Sequence, residues 1–557
     1  TEKDFAERNA TYVSDVLKTV PGVAMGANGG RGALTSLFLR GANSNQTAVI
    51  IDGVKMKPAN NLGYDFGGLT LSNVERIEVL RGEQSALWGS DAMGGVIYIT
   101  TKSGLYKDKP FNVDFDFGTG SNRTRDGSVT VSGYNNGFYY ALHGDSHRTS
   151  GISSLSSNKF NYTTLDGQHF SVGGRSEKDR FHRDNASLRV GYDDTHKGLE
   201  LLASHSSQTA HYDNDNRSIA QERDYDDRAR TRETLFKLSS YLGSDEELFK
   251  HKVSISHIKT DNDTFDLYPF PNSNPFSAYD AKKLNTNYQL DINFDNKGYI
   301  KQGASILAEY QRTTYDSTKF TLRDKKKLTE KSVATEYRLF TEDDHSFSVS
   351  GRFTENSQFE NAFTGRIAGA YRLSPNLRTH ASFGSAIQNP SLVDYYGYYG
   401  NYRGNPNLKP AKSLGGEIGL LMETADKAHS LDITYFARNV KNLINGLTNP
   451  ASNIEGTSKI KGVEIAYSGK LTKDLTAYAN YTYMRAKEKT GADLIRRPKH
   501  TANTGLAYQI TEKFGTDANI SYVGKRIDNY YRIYPAKPTK MPSYTLVNLG
   551  VNYQLIP

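Results

Sequence analysis

Alternation of apolar and polar side chains with a period of two residues dominates the chain from about Phe111 onward. In the segment 475–484, one face carries Leu475, Ala477, Ala479, Tyr481 and Tyr483. The opposite face carries Thr476, Tyr478, Asn480 and Thr482. In two further segments, 416–420 and 462–468, the polar face includes Glu417 and Glu464. This period predicts β-strands with one apolar face and one wet face.

Short turns and long polar connections alternate between these segments. The turns 374–376 and 472–474 are short, whereas the stretches 211–230 and 268–283 are long and polar. Short turns at one end and long loops at the other are typical of transmembrane β-barrels. About 450 residues at roughly 20 per strand and connection leave room for some twenty antiparallel strands.

The first 105 residues have a different pattern. A short amphipathic helix is predicted over Val13–Val20, and Pro21-Gly22 ends it. Glycine-rich turns separate four short apolar strands, predicted at 36–39, 48–51, 74–80 and 96–100. We therefore predict an α/β domain over residues 1–105 and a barrel over residues 106–557. A barrel this wide has an open lumen unless something fills it, so the first domain is predicted to be a plug.

Composition agrees with a barrel whose lumen is wet. Hydrophobic residues make up 36% of the chain and the mean hydropathy is −0.64, yet there are 37 Tyr and 49 Gly. Disordered chains of such low apolarity are poor in aromatic residues, so disorder is excluded. No apolar run reaches 18 residues, which excludes a membrane-spanning helix. The absence of cysteine excludes disulfides and thiolate chemistry.

The net charge of +8 does not indicate nucleic-acid binding, because Lys and Arg are interleaved with acidic residues along the chain. An anionic lipid surface is the partner that this basic balance favours. No nucleophile elbow, paired-carboxylate motif or phosphate loop is present, so we expect no enzyme activity. A passive porin-like channel and a barrel esterase or protease are the alternatives from other functional classes.

An ordered series of motifs resembles the plug of the TonB-dependent outer-membrane receptors. It consists of Leu39-Arg40-Gly41, Ile51-Asp52-Gly53-Val54, 74–82 (VERIEVLRG), Ser85-Ala86-Leu87-Trp88-Gly89 and 92–97 (AMGGVI). The segments 404–410 (GNPNLKP) and 460–464 (IKGVE) are similar to barrel motifs of the same family. The resemblance implies a plug inside about 22 antiparallel strands in a Gram-negative outer membrane. It also implies a monomer that takes up a scarce nutrient with energy from TonB.

Within this family, several short segments are similar to those of the cobalamin receptors. They are Asn28-Gly29-Gly30, 89–92 (GSDA), 396–400 (YGYYG) and Arg496-Arg497. Cobalamin is therefore the expected ligand, with haem or a ferric siderophore as the alternatives. The family's apolar TonB box is not recognisable near Thr1, and its aromatic C-terminal strand is not recognisable at Leu555-Ile556-Pro557. We therefore expect both ends to be trimmed, at the C-terminus by roughly two strands.

The resemblance also implies contacts between the plug and the barrel. Arg40 and Arg81 occupy positions of buried plug arginines, and Glu417 and Glu464 match the carboxylates that face them from the barrel wall. The alternation described above places both glutamates on the lumen face. Bidentate pairs of arginine and carboxylate would fix the plug in one register and still break under force.

Tyrosines are concentrated between Pro390 and Pro406. By family analogy Tyr395, Tyr396, Tyr398, Tyr399 and Tyr402 form an extracellular loop near the ligand, where rigid rings with polar tips suit a flat amphipathic molecule. An interfacial aromatic girdle or a self-packed loop is the competing interpretation. The absence of histidine between Phe383 and Leu408 argues against a haem held by histidine, although tyrosine ligation stays open.

Two further groups of residues are candidate metal sites. The stretch 211–230 carries Asp213, Asp215, Asp224, Asp226 and Asp227, enough carboxylates for a calcium site, but four interleaved arginines favour a solvated loop. The pairs His143/His147 and His205/His211 have no third ligand at metal spacing, so we expect lone exposed histidines. No cofactor is otherwise expected.

Overall fold

The computed structural model describes residues 1–27, 31–59, 62–152, 160–172, 178–212, 227–265, 277–317, 325–397, 403–446, 448, 450–530 and 537–555. None of their helices is long and apolar enough to cross a membrane.

The N-terminal domain is a small α/β unit. Its helices are α1 (Glu2–Glu7), α2 (Val13–Leu17) and α3 (Ser85–Trp88), together with a 3-10 helix at Ser44–Gln46. Its strands are β1 (Val23–Ala27), β2 (Thr35–Leu39), β3 (Thr47–Ile51), β4 (Val54–Lys55), β5 (Val74–Arg81) and β6 (Gly95–Thr101). A four-stranded sheet has the order β4-β3-β6-β5, and β1 pairs with β2. The predicted helix and four strands are therefore present, whereas α1, α3, β1 and β4 were not predicted.

One hydrophobic core holds this domain together and continues onto the barrel wall. Leu17, Leu37, Phe66 and Ile97 are almost completely buried in it. The barrel contributes Leu202, Leu235 and Ile258 to the same cluster. The N-terminal domain thus lies inside the lumen, as the predicted plug.

Twenty antiparallel strands form a barrel around the plug. The strands are β7 (Asn112–Gly120), β8 (Thr124–Asn135), β9 (Phe138–Thr149), β12 (Phe181–Asp193), β13 (Lys197–Tyr212), β14 (Asp227–Leu242), β15 (Phe249–Phe265), β16 (Ser277–Asp295), β17 (Ile300–Ser317), β18 (Lys326–Thr341), β19 (Ser346–Asn356), β20 (Ala362–Ser374), β21 (Leu377–Gln388), β22 (Ala411–Glu423), β23 (His429–Lys441), β26 (Thr457–Thr472), β27 (Leu475–Lys487), β28 (His500–Gln509), β29 (Phe514–Val523) and β32 (Tyr544–Tyr553). The resemblance implied about 22 for the intact family, and the described residues form twenty.

Side chains alternate across the barrel wall as the sequence pattern predicts. On β9 the lumen-facing residues Tyr139, Ala141, His143, Asp145, His147 and Thr149 are buried. Between them, Phe138 and Leu142 are 66% and 49% exposed because they face the membrane. The plug covers one face of the strand and lipid would cover the other.

Short turns lie at one end of the barrel and long connections at the other. The long-loop end carries the hairpins β10 (Phe160–Thr163) with β11 (His169–Val172), β24 (Ile444–Asn445) with β25 (Ser452–Asn453), and β30 (Arg526–Tyr530) with β31 (Lys537–Met541), as well as helix α4 (Leu392–Tyr396). The predicted loops 211–230 and 268–283 are shorter than expected. Strand β14 begins at Asp227 and β16 at Ser277, because paired polar strands extend beyond the apolar belt.

Candidate functional site

Arg40 of the plug makes the central contact with the barrel wall. It follows β2 in a left-handed conformation (φ 47°), and its N–H donates to the carbonyl of Gly22 at 2.8 Å. Its guanidinium donates from Nε to Glu464 Oε1 at 2.7 Å and from a terminal nitrogen to Glu417 Oε2 at 2.6 Å. Burial alone would lower the pKa of Arg40, yet the two carboxylates hold it above its ordinary value. The guanidinium is therefore charged and paired.

Arg81 completes this ion-pair cluster from the end of β5. One of its terminal nitrogens donates to Glu464 Oε2 at 2.6 Å, so Glu464 accepts from both plug arginines. Glu464 is only 2% exposed, whereas the side chain of Arg81 is 31% exposed. The four predicted contact residues thus meet, and two positive charges balance two negative ones.

Gly22 leaves the space that this cluster needs. A Cβ atom at this position would lie 2.6 Å from Glu464 Oε1, and its φ of +81° also favours glycine. The sequence pattern indicated only that Pro21-Gly22 ends a helix. The close approach of a barrel carboxylate was missed because it depends on tertiary packing.

Two barrel arginines bind the backbone of the plug. Arg438 on β23 donates to the carbonyl of Met93 at 3.1 Å and also to the carbonyl of Arg40. Arg497, in the connection between β27 and β28, donates from Nε to the carbonyl of Gly41 at 3.0 Å. An apolar cluster of Met93, Phe436, Ile460 and Met484 surrounds these bonds. This flank of the plug is closely packed against strands β21 to β27.

A buried plug carboxylate lies within the same flank. Glu83 is 6% exposed and its Oε1 lies 3.9 Å from Arg438 Nε, too far for a hydrogen bond. Burial raises the pKa of Glu83 above its ordinary value, although Arg438 opposes the shift. Gly415 on β22 makes room for it, since a Cβ atom there would lie 2.3 Å from Glu83 Oε1.

The opposite flank of the plug borders a cavity of about 660 Å³. Its lining includes Trp88 of the plug and Asn285, Glu309 and Glu330 of the barrel. Long basic side chains of the barrel wall span this cavity and donate hydrogen bonds to backbone carbonyls of the plug. Lys237 Nζ donates to Asp52 O at 2.6 Å, Arg352 donates to Leu87 O at 3.3 Å, and Lys283 donates to Lys55 O. On this side the plug is bridged to the wall across a polar gap, beside the apolar contact that Leu202, Leu235 and Ile258 make with its core.

Two family models cover the chain between them. The TonB-dependent Receptor Plug Domain matches residues 1–96, and the TonB dependent receptor-like beta-barrel matches residues 87–556. The chain belongs to the TonB-dependent receptors. Receptors of this family are located in the outer membrane of Gram-negative bacteria, so the barrel described above spans that membrane. Its short-turn end accordingly faces the periplasm and its long-loop end faces outward.

Known relatives agree with this assignment. The receptor is 27% identical to the vitamin B12 transporter BtuB of Photobacterium profundum, over 99% of this chain and 85% of that protein. The siderophore receptor PirA from Acinetobacter baumannii superimposes with a TM-score of 0.79 at 18% identity, covering 100% of this chain and 91% of PirA. A mutant of the ferric enterobactin receptor PfeA from Pseudomonas aeruginosa superimposes with a TM-score of 0.81 at 18% identity, covering 100% of this chain and 90% of PfeA. At 18% identity these two structures show the shared fold alone.

The predicted tyrosine loop of the receptor is described only in part. Tyr395 and Tyr396 lie on α4, whose first turn is capped by Ser391. The ring of Tyr395 packs edge-on against Phe359 at 5.2 Å and against Tyr396 at 4.9 Å. Helix α4 touches the plug, since the N–H of Val393 donates to Ala59 O at 3.1 Å. Tyr398, Tyr399 and Tyr402 lie outside the described residues.

The carboxylates considered for calcium are also mostly beyond the described part of the receptor. Asp213, Asp215, Asp224 and Asp226 lie outside it. Asp227 is the first residue of β14, opposite Tyr212, and is 1% exposed. No cluster of metal-ligating side chains is found among the described residues.

The expectation of exposed histidines was wrong for His143 and His147, which are 5% and 3% exposed. His143 contacts Thr130 and Asp145, at 2.7 Å and 2.6 Å, and His147 Nδ1 lies 2.9 Å from Asp126. These side chains face the lumen, where hydrogen-bonding partners on β8 and β9 surround them, and alternation in the sequence does not show that burial. His205 is exposed as expected, with Nδ1 2.9 Å from Thr234 Oγ1. His211 is half-buried at the end of β13.

Proposed function

We propose that this receptor actively imports a bulky metal chelate across the outer membrane, with TonB as its energy source. The observation that carries the proposal is the paired cluster of Arg40, Arg81, Glu417 and Glu464 between plug and wall. It stabilises the closed state, and its bonds are of a kind that an external pull can break. A closed, energised barrel is useful for a solute too large and too scarce to enter through an open pore.

Cobalamin is the leading ligand in this proposal. The curated relative named above is a vitamin B12 transporter that matches nearly the whole chain. The segment 89–92 (GSDA), which resembles the cobalamin receptors, borders the cavity at Gly89 and Ser90. The lack of histidine between Phe383 and Leu408 weighs against a histidine-held haem. Haem and a ferric siderophore are the alternatives within the family.

Calorimetry on the purified receptor in neutral detergent tests the ligand. Cyanocobalamin, haemin and a ferric catecholate siderophore are titrated separately. Tight binding of cyanocobalamin alone supports the proposal, and tight haemin binding without cobalamin binding overturns the ligand ranking. The single tryptophan, Trp88, lines the cavity and offers a fluorescence signal from the plug during the same titration.

Transport is tested separately from binding. Uptake of radiolabelled cyanocobalamin by cells with and without TonB should depend on both the receptor and TonB. Conductance in planar bilayers distinguishes the passive-channel alternative, since a plugged barrel gives no steady open current and a porin does. Binding that persists without TonB-dependent uptake would contradict active import.

A further inference from the structure

Arg366 of strand β20 is a lumen-facing cation of the barrel wall. It is directly opposite Gly384 on β21. Gly384 is in turn opposite Gly415 on β22, which is opposite Arg438 on β23. Directly opposite residues of an antiparallel sheet share one face, and Arg438 donates to the plug at Met93 O. The whole row therefore faces the plug.

The two glycines of this row leave room for charged side chains. A Cβ atom at Gly384 would lie 3.3 Å from Cγ of Arg366, so this arginine leans over Gly384 toward β22. The next lumen-facing residue of β22 after Gly415 is Glu417, two positions along the strand. Adjacent strands are about 4.8 Å apart, so two spacings, about 10 Å, separate β20 from β22. The side chains of Arg366 and Glu417 thus approach each other across β21.

Arg366 has no ion-pair partner in the part of the chain that the structure describes. No carboxylate oxygen there lies within 4.0 Å of its guanidinium. The charged groups that act on it most strongly are Glu417 and then Glu83 of the plug. By contrast, Arg338 on β18, which also lines the lumen, lies 3.2 Å from Glu336. Arg366 is therefore a half-buried charge held beside Glu417 without a partner of its own.

Displacement of the plug would change the charge balance of this wall. In the closed state the charge of Glu417 is neutralised by Arg40, which belongs to the plug. When the plug moves, this arginine leaves, and so does Glu83, the plug carboxylate that interacts with Arg366. Glu417 then lacks a counter-charge, while Arg366 loses its plug anion. A largely buried carboxylate without a counter-charge strongly destabilises the state that contains it.

We propose that Arg366 is a positioning residue of the transport cycle, which pairs with Glu417 once Arg40 has left it. The carboxylate is passed from a plug arginine to a wall arginine, so the displaced state carries no unpaired charge at Glu417. Arg40 recovers Glu417 when the plug returns, because it binds Glu464 at the same time. This exchange rests on the import function proposed above, since it is a step of plug displacement.

A double-variant cycle in the ligand-free receptor tests the exchange without TonB. Arg40→Gln removes the plug cation from Glu417, so Arg366 should then supply the counter-charge. Thermal unfolding in detergent, followed through Trp88 fluorescence, measures the loss of stability. We expect the decrease in Tm caused by Arg40→Gln to be larger by about 4 °C or more in the Arg366→Gln background than in the wild type. Equal decreases in the two backgrounds would overturn the proposal.

Three further variants separate charge exchange from general destabilisation. Arg366→Lys keeps the charge and should behave as the wild type in the cycle. Arg338→Gln, the matched control on β18, should add to Arg40→Gln without coupling, and coupling as large as that of Arg366→Gln would refute the exchange. Glu417→Gln removes the shared carboxylate, so the coupling between Arg40→Gln and Arg366→Gln should vanish, and its persistence would also refute the exchange. If Arg40→Gln does not fold, Arg40→Lys takes its place.

Uptake supplies a second measurement on the same residue. Arg366→Gln should leave the affinity for cyanocobalamin unchanged in calorimetry and slow TonB-dependent uptake of radiolabelled cyanocobalamin by about tenfold. Wild-type uptake in this variant would contradict a role of Arg366 in transport. Failure of cyanocobalamin to bind at all would contradict the ligand proposal alone, because the stability cycle needs no ligand.

Discussion

Arg40 and Glu464, separated by 424 positions in sequence, form a bidentate ion pair between the plug and the barrel wall, with donor–acceptor distances of 2.7 and 3.2 Å. Both side chains are almost completely buried, and Glu464 also accepts from Arg81. Removal of one member of a buried pair leaves an uncompensated charge, which typically costs about 3–5 kcal/mol. The closed state therefore depends on this carboxylate.

Glu464→Ala is expected to loosen the plug. Arg40 and Arg81 would lose their shared partner, and planar-bilayer recordings should show brief openings that the wild type lacks. Glu455→Ala, at an exposed carboxylate near the start of the same strand, is the control and should stay closed. Identical recordings from both variants would mean that the cluster does not hold the plug.

Gly415 and Glu83 are expected to be energetically coupled. Gly415→Ala brings a methyl group against the Glu83 carboxyl and should destabilise the plug–wall contact by about 1–3 kcal/mol, as overpacking does. In the double variant with Glu83→Ala the methyl group has room, so part of that loss should return. Gly144→Ala is the matched control, because nothing lies within 4 Å of a Cβ atom there. Thermal unfolding in detergent measures the stability of the two single variants and the double variant. If the stability changes of the single variants simply add in the double variant, the contact between Gly415 and Glu83 is contradicted.

The stability of the plug is expected to depend on pH through the carboxyl group of Asp65. Burial raises the pKa of Asp65 to about 7, although its Oδ1 accepts from the N–H groups of Thr35 and Gly67. The folded state thus binds a proton that the unfolded chain has released, so stability from this group is greatest near pH 4 and is lost as pH rises toward 7. The slope cannot exceed about 1.4 kcal/mol per pH unit.

Asp65→Asn keeps the acceptor for both N–H groups and removes the titration. The difference in unfolding free energy between wild type and variant should therefore shift in favour of the variant as the pH rises from about 4 to 8. Urea unfolding followed through Trp88 fluorescence measures this difference in unfolding free energy. A difference that is constant across this range would show that Asp65 does not titrate there.

Tyr398 and Tyr399 remain the predicted ligand contacts of the tyrosine loop. If their rings stack on the chelate, replacing both with Ala should weaken binding more than tenfold, which is about 1.4 kcal/mol or more. Tyr508 and Tyr522, which are 43% and 38% exposed on β28 and β29, are matched controls. Calorimetry with cyanocobalamin compares the affinities of the two double variants. Unchanged affinity in the Tyr398/Tyr399 variant would show that this loop is not part of the ligand-binding site.

The sequence predicted the parts of the site that leave a periodic or motif signal. Glu417 and Glu464 fall on the lumen face by strand parity, and Arg40 and Arg81 belong to recognisable plug motifs. Arg438 could not be predicted, because it binds backbone carbonyls and any plug sequence offers those. The buried state of His143 and His147 was also missed, because alternation identifies a lumen-facing residue and does not show whether neighbouring side chains bury it.

The unequal flanks of the plug have a mechanical consequence. One flank is anchored by the Arg40–Glu464 pair, Arg438 and an apolar cluster, whereas beside the cavity the wall reaches the plug through the long side chains of Lys237, Lys283 and Arg352. The first flank is thus held by closely packed contacts, and the region beside the cavity is held by single side-chain bridges. A pull on the plug is therefore expected to widen the gap lined by Lys237, Glu309 and Glu330 before it breaks the Arg40–Glu464 contact.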